Sequence, residues 1–264
     1  MLSNRFIFHW LITILLLNVL SLLLTQDVIN LNDLYDDILQ LNSFPMLSIL
    51  ANLIVMNSFF IWFNYSKNKL KFIIEPKTNN KIFENVWITV EFNMLMNYVI
   101  KFLCFKYKEI NKHKHNEELD FITSIVLLLL FEELLFHNLH YVMHTRYFKW
   151  IHKWHHEIIY PEPQHSIYCS PIEHMLVNMI PILVPGSILN INAWILLVWE
   201  IIAAINTMNG HSNKYIRFLP IGDKHLLHHT LSTVNYGVLS FFDKVNGSFM
   251  TIDKLSDNGM AVQL

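Results

Sequence analysis

The sequence predicts an all-α integral membrane protein whose transmembrane helices are capped, on the cytosolic side, by a metal site made of histidines. Hydrophobic residues form 53% of the 264-residue chain and charged residues only 15%, whereas about 25% charged residues is usual in soluble domains. Several apolar runs approach the roughly 20 residues that a helix needs to cross a bilayer. Six histidines fall between residues 137 and 156, and their His-x-x-His-His spacing recurs near residue 225.

Residues 1–120 are expected to form N-terminal membrane helices and loops. Phe6–Leu24 contains no acid and no lysine, and we interpret it as a retained span because no small-residue cleavage site follows it. Met46–Phe63 is predicted to be a second span. The connecting segment is acidic, and a lysine-rich segment follows at 66–81. Because lysine-rich loops favour the cytoplasm, the N-terminus and the lysine-rich segment are predicted to be cytosolic.

The next apolar region, Val86–Cys104, is interrupted by Glu91 and Lys101. Two interpretations stay open for it, because charged residues are costly within a span. It either crosses the membrane or lies at the membrane interface.

Residues 121–264 are expected to form a second domain, which carries the metal site. The apolar run Phe121–Phe136 leads directly into the first histidines. Both histidine clusters must lie on one face of the membrane if they share a site. A helical hairpin at Leu176–Ile205 satisfies this, with its predicted break at Pro181, Pro185 and Gly186.

The histidines are spaced so that several imidazoles share one helix face, because residues at i, i+3 and i+4 are neighbours on a helix. Neutral imidazole is a good ligand for iron, zinc, copper and nickel. The clusters supply more ligands than one tetrahedral ion takes, which suits two ions side by side. The predicted ligands are His140, His144, His152, His155, His156, His225, His228 and His229, with His211 as a ninth.

Other ionisable residues near these clusters have less specific interpretations. His9, His113, His115 and His165 are expected to be ordinary buried or solvated residues. Glu132 and Glu133 end an apolar run, and two interpretations stay open. They either mark the membrane surface or accept the second N–H of a ligand imidazole, which would fix its tautomer.

The histidine pattern resembles the fatty acid hydroxylase / sterol desaturase superfamily over about residues 121–252. The family's order is His-x-x-x-His, His-x-x-His-His and a later His-x-x-His-His, as in His140/His144 and the two triples here. Glu132-Glu133 stands where the family has Glu-Asp. YCSPIEHML is similar to its Tyr-x-His-Pro-x-Glu-His, with Ser170 before the proline, and NYGVLSFFDKVNGSF resembles its closing Asn-Tyr-Gly, Asp and Gly-Ser/Thr pattern.

The resemblance implies a non-haem di-iron oxygenase of the endoplasmic reticulum membrane. Such an enzyme uses two iron ions, O2 and electrons from NAD(P)H, delivered by cytochrome b5 and its reductase, to hydroxylate or desaturate a lipid C–H bond. An unactivated C–H bond offers no handle to an acid, base or nucleophile, so the chemistry belongs to the metal. A sterol substrate is slightly favoured, of the C5-desaturase-like or C4-methyl-oxidase-like kind, with fatty acyl and sphingolipid substrates as alternatives.

Functions of other classes are weighed against this one. A metal-binding membrane protein without oxygenase activity is the main alternative. A transporter is disfavoured because the histidines flank the spans, and a zinc hydrolase because no His-Glu-x-x-His occurs. A net charge of -2 disfavours nucleic acid as a partner, since such binding requires a basic face. No catalytic residue is predicted beyond the metal ligands.

Overall fold

The computed structural model describes residues 43–66, 83–110, 118–212 and 222–257. These ranges contain helices and no β-strand, which confirms the predicted all-α class. The predicted span Phe6–Leu24 and the lysine-rich segment lie outside these ranges, as do His9, His113 and His115. The helices are α1 (Ser43–Ser66), α2 (Phe83–Ile110), α3 (Phe121–Met143), α4 (Lys149–His152), α5 (Pro171–Ile188), α6 (Ala193–Gly210), α7 (Gly222–Leu231), α8 (Phe241–Asn246) and α9 (Ile252–Asp257).

Three helices in the described ranges are long and apolar enough to cross a membrane, namely α3, α5 and α6. Helix α3 shows why this sequence suits a lipid environment. Ile122, Val126 and Leu130 follow one another every four residues and are exposed, so they form one apolar stripe that can face lipid. The opposite face buries polar groups, including Glu132 and His140. The helix is therefore apolar outside and polar inside, as a membrane bundle around a polar site requires.

The predicted hairpin is present as α5 and α6, but the predicted position of its break is wrong. The chain turns at residues 189–192, after all three predicted breakers. Pro181 stands in the first turn of the regular α-helical part of α5, which starts at Ile180 after a wider π-helical turn. Proline is tolerated there. The turn itself ends where the Asn192 side chain accepts a hydrogen bond from the Trp194 N–H at 2.8 Å.

Gly186 serves helix packing rather than a break. A Cβ at this position would lie 2.3 Å from Leu196 Cδ2, a distance that real contacts do not allow. Glycine therefore lets α5 and α6 pack closely, which keeps the two arms of the hairpin together.

Helices α1 and α2 pack against the histidine-bearing part of the chain. Leu53 of α1, Val90 and Met94 of α2, and Tyr168 from the loop before α5 share one buried apolar cluster. The division at residue 120 stays a prediction, although residues from both sides of it share this core. Helix α2 has 28 residues, or about 42 Å of helix, so its length allows either a crossing or an interfacial position.

Candidate metal centre

The structure brings all nine predicted ligands together in two adjacent groups. Each histidine offers a ring nitrogen, and within a group these nitrogens lie within 4.8 Å of one another. Neighbours in sequence are divided between the groups, so His155 and His156 belong to different groups, as do His228 and His229. The group of five contains His140, His144, His152, His156 and His228, and the group of four contains His155, His211, His225 and His229.

Four parts of the chain converge to build these groups. The end of α3 supplies His140 and His144, and α4 with the 3-10 turn after it supplies the first triple. The residue after α6 is His211, and α7 supplies the second triple. In the first triple, His155 and His156 lie in a 3-10 turn rather than in α4. Successive residues of a helical turn point about 100–120° apart, so the two side chains enter different groups.

The outer ring nitrogens are held by hydrogen-bond acceptors. The Nδ1–H of His140 donates to the Tyr236 carbonyl at 2.9 Å, that of His211 to the Thr207 carbonyl at 2.7 Å, and that of His228 to the Val234 carbonyl at 2.7 Å. His155 and His229 make the same kind of bond, at 3.1 Å each. A carbonyl can only accept, so Nδ1 carries the proton and Nε2 is left with a free lone pair.

The inner Nε2 atoms point at one another at short distances. The separations are 3.2 Å between His140 and His152, 3.0 Å between His144 and His228, and 3.2 Å between His155 and His211. No hydrogen lies between such pairs where both Nδ1 atoms carry the proton, so their lone pairs repel. Two ligands at right angles, each about 2.1 Å from an ion, are about 3.0 Å apart. The donor set therefore fits metal ions at the centre of each group.

Burial keeps these imidazoles in the form that binds metal. Removal from water lowers the pKa of His155 to about 4, and the pKa of His144 and of His156 to about 3, with neighbouring imidazoles adding to the effect for the latter two. Burial likewise holds the pKa of His225 well below its usual value. The ligands are therefore neutral at physiological pH, as metal binding requires.

One carboxylate contacts a ligand directly, and the sequence reasoning gave it no role. Glu173, at the start of α5, accepts the Nδ1–H of His152 at 2.7 Å, and both side chains are buried. The sequence feature that could have pointed to Glu173 is its place in the motif YCSPIEHML. Ser170 caps the same helix by accepting from the Glu173 N–H at 3.2 Å, which fixes the start of α5 beside His152.

Glu132 and Glu133 do not accept the second N–H of a ligand imidazole, which was one of the two interpretations left open by the sequence. Both are buried, and a position at the level of the membrane surface stays a prediction. Glu133 instead accepts backbone N–H bonds from Val238 at 2.9 Å and Leu239 at 2.7 Å, and also from Phe241 and Phe242. It therefore anchors the loop whose Tyr236 carbonyl holds His140.

The closing Asn-Tyr-Gly motif forms the rest of this loop. Asp243 accepts from the Tyr236 N–H at 2.8 Å and from the Gly237 N–H at 2.9 Å. A Cβ at Gly237 would lie 3.0 Å from Glu133 Oε1 and 3.1 Å from Asp243 Oδ2, so glycine leaves room for both carboxylates. These residues orient His140 by fixing the backbone that accepts its proton.

The remaining described histidines stand outside the two groups. His165 accepts a hydrogen bond from the Glu162 N–H at 2.9 Å and belongs to a small capping arrangement. His174 bonds to Asn97 Oδ1 at 2.6 Å and to Asn178 at 3.2 Å. His137 is buried, with its Nε2 3.7 Å from Asp243.

Two adjacent cavities lie between the histidines and the interior of the helix bundle. The inner chamber is lined by ligands of both groups, including His140, His152, His155, His211 and His225. The bundle cavity lies between α1, α2, α3, α5 and α6 and holds about 750 Å³ of atom-free space, its open mouth included. Both cavities are lined by Glu132, Phe136, Ser166, Asn178 and Thr207.

Comparisons with known proteins identify the histidine-bearing part of the chain. Residues 125–248 match the family model described as fatty acid hydroxylase. Fatty acid hydroxylase domain-containing protein 2 from Homo sapiens is 33% identical over 129 residues, covering 48% of this chain and 39% of that protein. Fatty acid hydroxylase ahd1 from Mycosarcoma maydis is 33% identical over 125 residues, covering 47% of this chain and 33% of that protein.

The chain thus spans less than half the length of these curated relatives. No solved structure matches it. The matched segment contains all nine clustered histidines together with the Glu133 and Asp243 carboxylates that fix the closing loop. This segment of the chain is therefore similar to the fatty acid hydroxylase family.

Proposed function

We propose that the protein is a membrane oxygenase that hydroxylates or desaturates a C–H bond of a lipid, with one iron ion in each histidine group. The observation that carries the proposal is the convergence of imidazole ring nitrogens in groups of five and four beside a cavity. The bound iron would supply the O2-dependent oxidation of an unactivated C–H bond, a reaction that amino-acid side chains cannot perform.

The chain's own residues would prepare the site for this chemistry. The Tyr236, Thr207 and Val234 carbonyls hold protons on the outer ring nitrogens, which keeps the inner nitrogens available as ligands. Glu173 does the same for His152 and makes that imidazole a stronger donor. The buried inner chamber limits the access of water, so reaction at the substrate is favoured over side reactions.

The position of the site relative to the membrane supports a lipid as substrate. Tyr147, Trp150 and Trp154 are exposed between the ligands of the first cluster, and such aromatic side chains are enriched at membrane–water interfaces. The histidine groups would then lie at interface level, with the bundle cavity extending towards the membrane core. We propose that this face is cytosolic, in the endoplasmic reticulum, where NAD(P)H, cytochrome b5 and its reductase would supply electrons.

A sterol, a fatty acyl chain and a sphingolipid are the candidate substrates. The slight preference for a sterol came from the closing motif. Asn235, Gly237 and Asp243 of that motif line neither cavity, because they support the His140 loop. Fatty acyl and sphingolipid substrates therefore stand as alternatives to a sterol.

The proposal is tested in cells that express either the wild-type chain or the His155→Ala/His156→Ala double variant. Lipids are extracted after growth under ¹⁸O2 and compared by mass spectrometry. We expect a lipid that gains one labelled oxygen atom, or loses two hydrogens, with the wild type alone. Both proteins must be present in the membrane, and the wild type must be loaded with iron. If the two lipid profiles are then identical, the result favours a metal-binding protein without oxygenase activity.

A further inference from the structure

Part of the bundle cavity is built by helices outside the segment that matches the family. Helices α1 and α2 contribute Asn52, Met56, Met94, Asn97 and Lys101 to its wall, whereas the family match begins at residue 125. The histidines of the matched segment are thus combined with a cavity wall that is built partly by helices outside that segment.

A buried ion pair joins the two parts of this wall. Lys101 Nζ of α2 lies 2.7 Å from Glu200 Oε2 of α6 and 2.8 Å from Ser48 Oγ of α1. Lys101 is 7% exposed and Glu200 is 8% exposed. Removing an ion pair from water is costly. A protein with apolar residues of similar size at such positions is often as stable as one with the ion pair. Ionisable residues among membrane helices are therefore functional-site candidates.

The pair still has hydrogen-bonding capacity toward the cavity. A lysine ammonium has three N–H donors, and the described residues offer Lys101 two acceptors, Ser48 and Glu200. Glu200 Oε2 accepts from both Lys101 and Ser48, and no hydrogen bond to Oε1 is made by the described residues. One donor and one acceptor are thus left side by side at the cavity wall. A hydroxyl, which accepts and donates at once, complements them.

We propose that the Lys101–Glu200 pair binds the hydroxyl group of a neutral lipid and thereby selects the substrate. This inference rests on the proposed function for what happens to the bound lipid, but the binding itself requires no metal. The pair is already balanced in charge. A carboxylate at this position would add an uncompensated buried charge beside Glu200, so free fatty acids are disfavoured.

The position of the pair also limits which carbon reaches the metal centre. Glu200 and Thr207 both line the cavity and are seven residues apart on α6, which corresponds to about 10 Å along the helix. The Thr207 carbonyl holds His211, so it marks the level of the metal centre. The oxidised carbon would be remote from the hydroxyl. A sterol held in this way would present carbons about 10 Å from its hydroxyl, not C4 or C5, to the histidines.

The first test compares three ligands of one chain length on the metal-free, full-length protein in detergent. The ligands are octadecan-1-ol, octadecane and octadecanoate, and their affinities are obtained from the ligand-dependent rise in unfolding temperature. We expect the alcohol to bind roughly tenfold or more tightly than the alkane, as one hydrogen bond to a charged group implies, and more tightly than the carboxylate. Equal binding of alcohol and alkane would overturn the proposal.

Two variants test whether the Lys101–Glu200 pair causes the preference for the alcohol. Lys101→Met/Glu200→Leu removes both charges, and we expect the alcohol and the alkane to bind it equally. Glu200→Gln leaves Lys101 without its counter-charge, so the preference should shift by roughly tenfold toward octadecanoate. Met208→Leu, an apolar change in the same cavity, is the matched control and should keep the alcohol preference. An alcohol preference that survives in both pair variants would overturn the proposal.

These results are separable from the proposed activity. A pair-dependent alcohol preference in a protein that oxidises no lipid when loaded with iron would support the subsite and count against the oxygenase. Lipid oxidation by a protein that binds the alcohol and the alkane equally would support the oxygenase and count against the hydroxyl-binding subsite. Oxidation at a carbon next to the hydroxyl would also overturn the subsite, because of the separation along α6.

Discussion

His152 donates its Nδ1–H to Glu173 Oε1 across 2.7 Å, and the two residues are 21 positions apart in sequence. The contact turns the Nε2 of His152 toward His140, whose Nε2 lies 3.2 Å away. It joins the start of α5 to α4 and thus links the membrane hairpin to the group of five histidines. A change at Glu173 should therefore weaken metal binding more than it destabilises the fold.

We predict that Glu173→Gln lowers the affinity for metal by roughly 10- to 100-fold, the usual effect of losing a carboxylate that orients a ligand. The measurement is the rate at which a chelator removes iron from the purified protein. Glu157→Gln is the matched control, because Glu157 bonds to the Tyr168 hydroxyl and to no ligand. Equal rates for the wild type and Glu173→Gln would show that this contact does not support a metal ligand.

The division of neighbouring histidines gives a second prediction. His228 belongs to the group of five and His229 to the group of four. His228→Ala and His229→Ala are each expected to reduce the iron content from about two ions to about one, because each variant disrupts a different group. The double variant should retain none. If either single variant lost both ions, the two groups would have to act as one site.

A third prediction contrasts the ligands with a histidine outside the groups. His165→Ala should leave the iron content unchanged, because His165 bonds to the Glu162 backbone and lies in neither group. His155→Ala/His156→Ala should bind no iron while still inserting into membranes. Iron per chain is measured on detergent-purified protein for both. Loss of iron in His165→Ala would mean that the set of ligands is wrong.

Sequence spacing predicted which histidines lie together, but it did not predict the residues that hold them in place. The nine histidines follow i, i+3 and i+4 spacing or a recognisable motif, so local order was sufficient to find them. Glu173 and Asp243 act on histidines through contacts made by the fold, and the Lys101–Glu200 pair is separated by 99 residues. Spacing carries no information about such contacts.

The helical hairpin shows the same limit at the level of secondary structure. Its existence followed from the length and apolarity of Leu176–Ile205. Its turn was misplaced because proline and glycine usually mark breaks, whereas here a π-helical turn precedes Pro181 and Gly186 faces Leu196. Both effects depend on a neighbouring element or on backbone geometry that composition does not reveal.

The closing loop gives a prediction about stability. Glu133 accepts four backbone N–H bonds. Glu133→Gln replaces one of the two accepting oxygens with an NH2 group, which can only donate. We expect a loss of about 1–3 kcal/mol in the free energy of unfolding, together with weaker iron binding through His140. Glu118→Gln, at an exposed carboxylate, should change stability by no more than about 0.5 kcal/mol.

Acid should destabilise the metal-free protein. Burial lowers the pKa of His155 to about 4 and that of His144 and His156 to about 3, whereas an unfolded chain has a histidine pKa of about 6.5. Between these values the unfolded state binds more protons, so the free energy of unfolding falls as the pH drops from about 6.5 toward 4. Thermal unfolding at pH 7 and pH 5 measures this, and an unchanged unfolding temperature would contradict the burial of neutral imidazoles.

The central claim is that two groups of histidines each hold one iron ion, and metal analysis tests it most directly. The protein is purified in detergent without a chelator, and iron and zinc are measured per chain. Because zinc competes well for imidazole sites, the protein is also loaded with ferrous iron under anaerobic conditions. We predict about two iron ions per chain after this loading. A chain that binds no metal, either as purified or after loading, would contradict the claim.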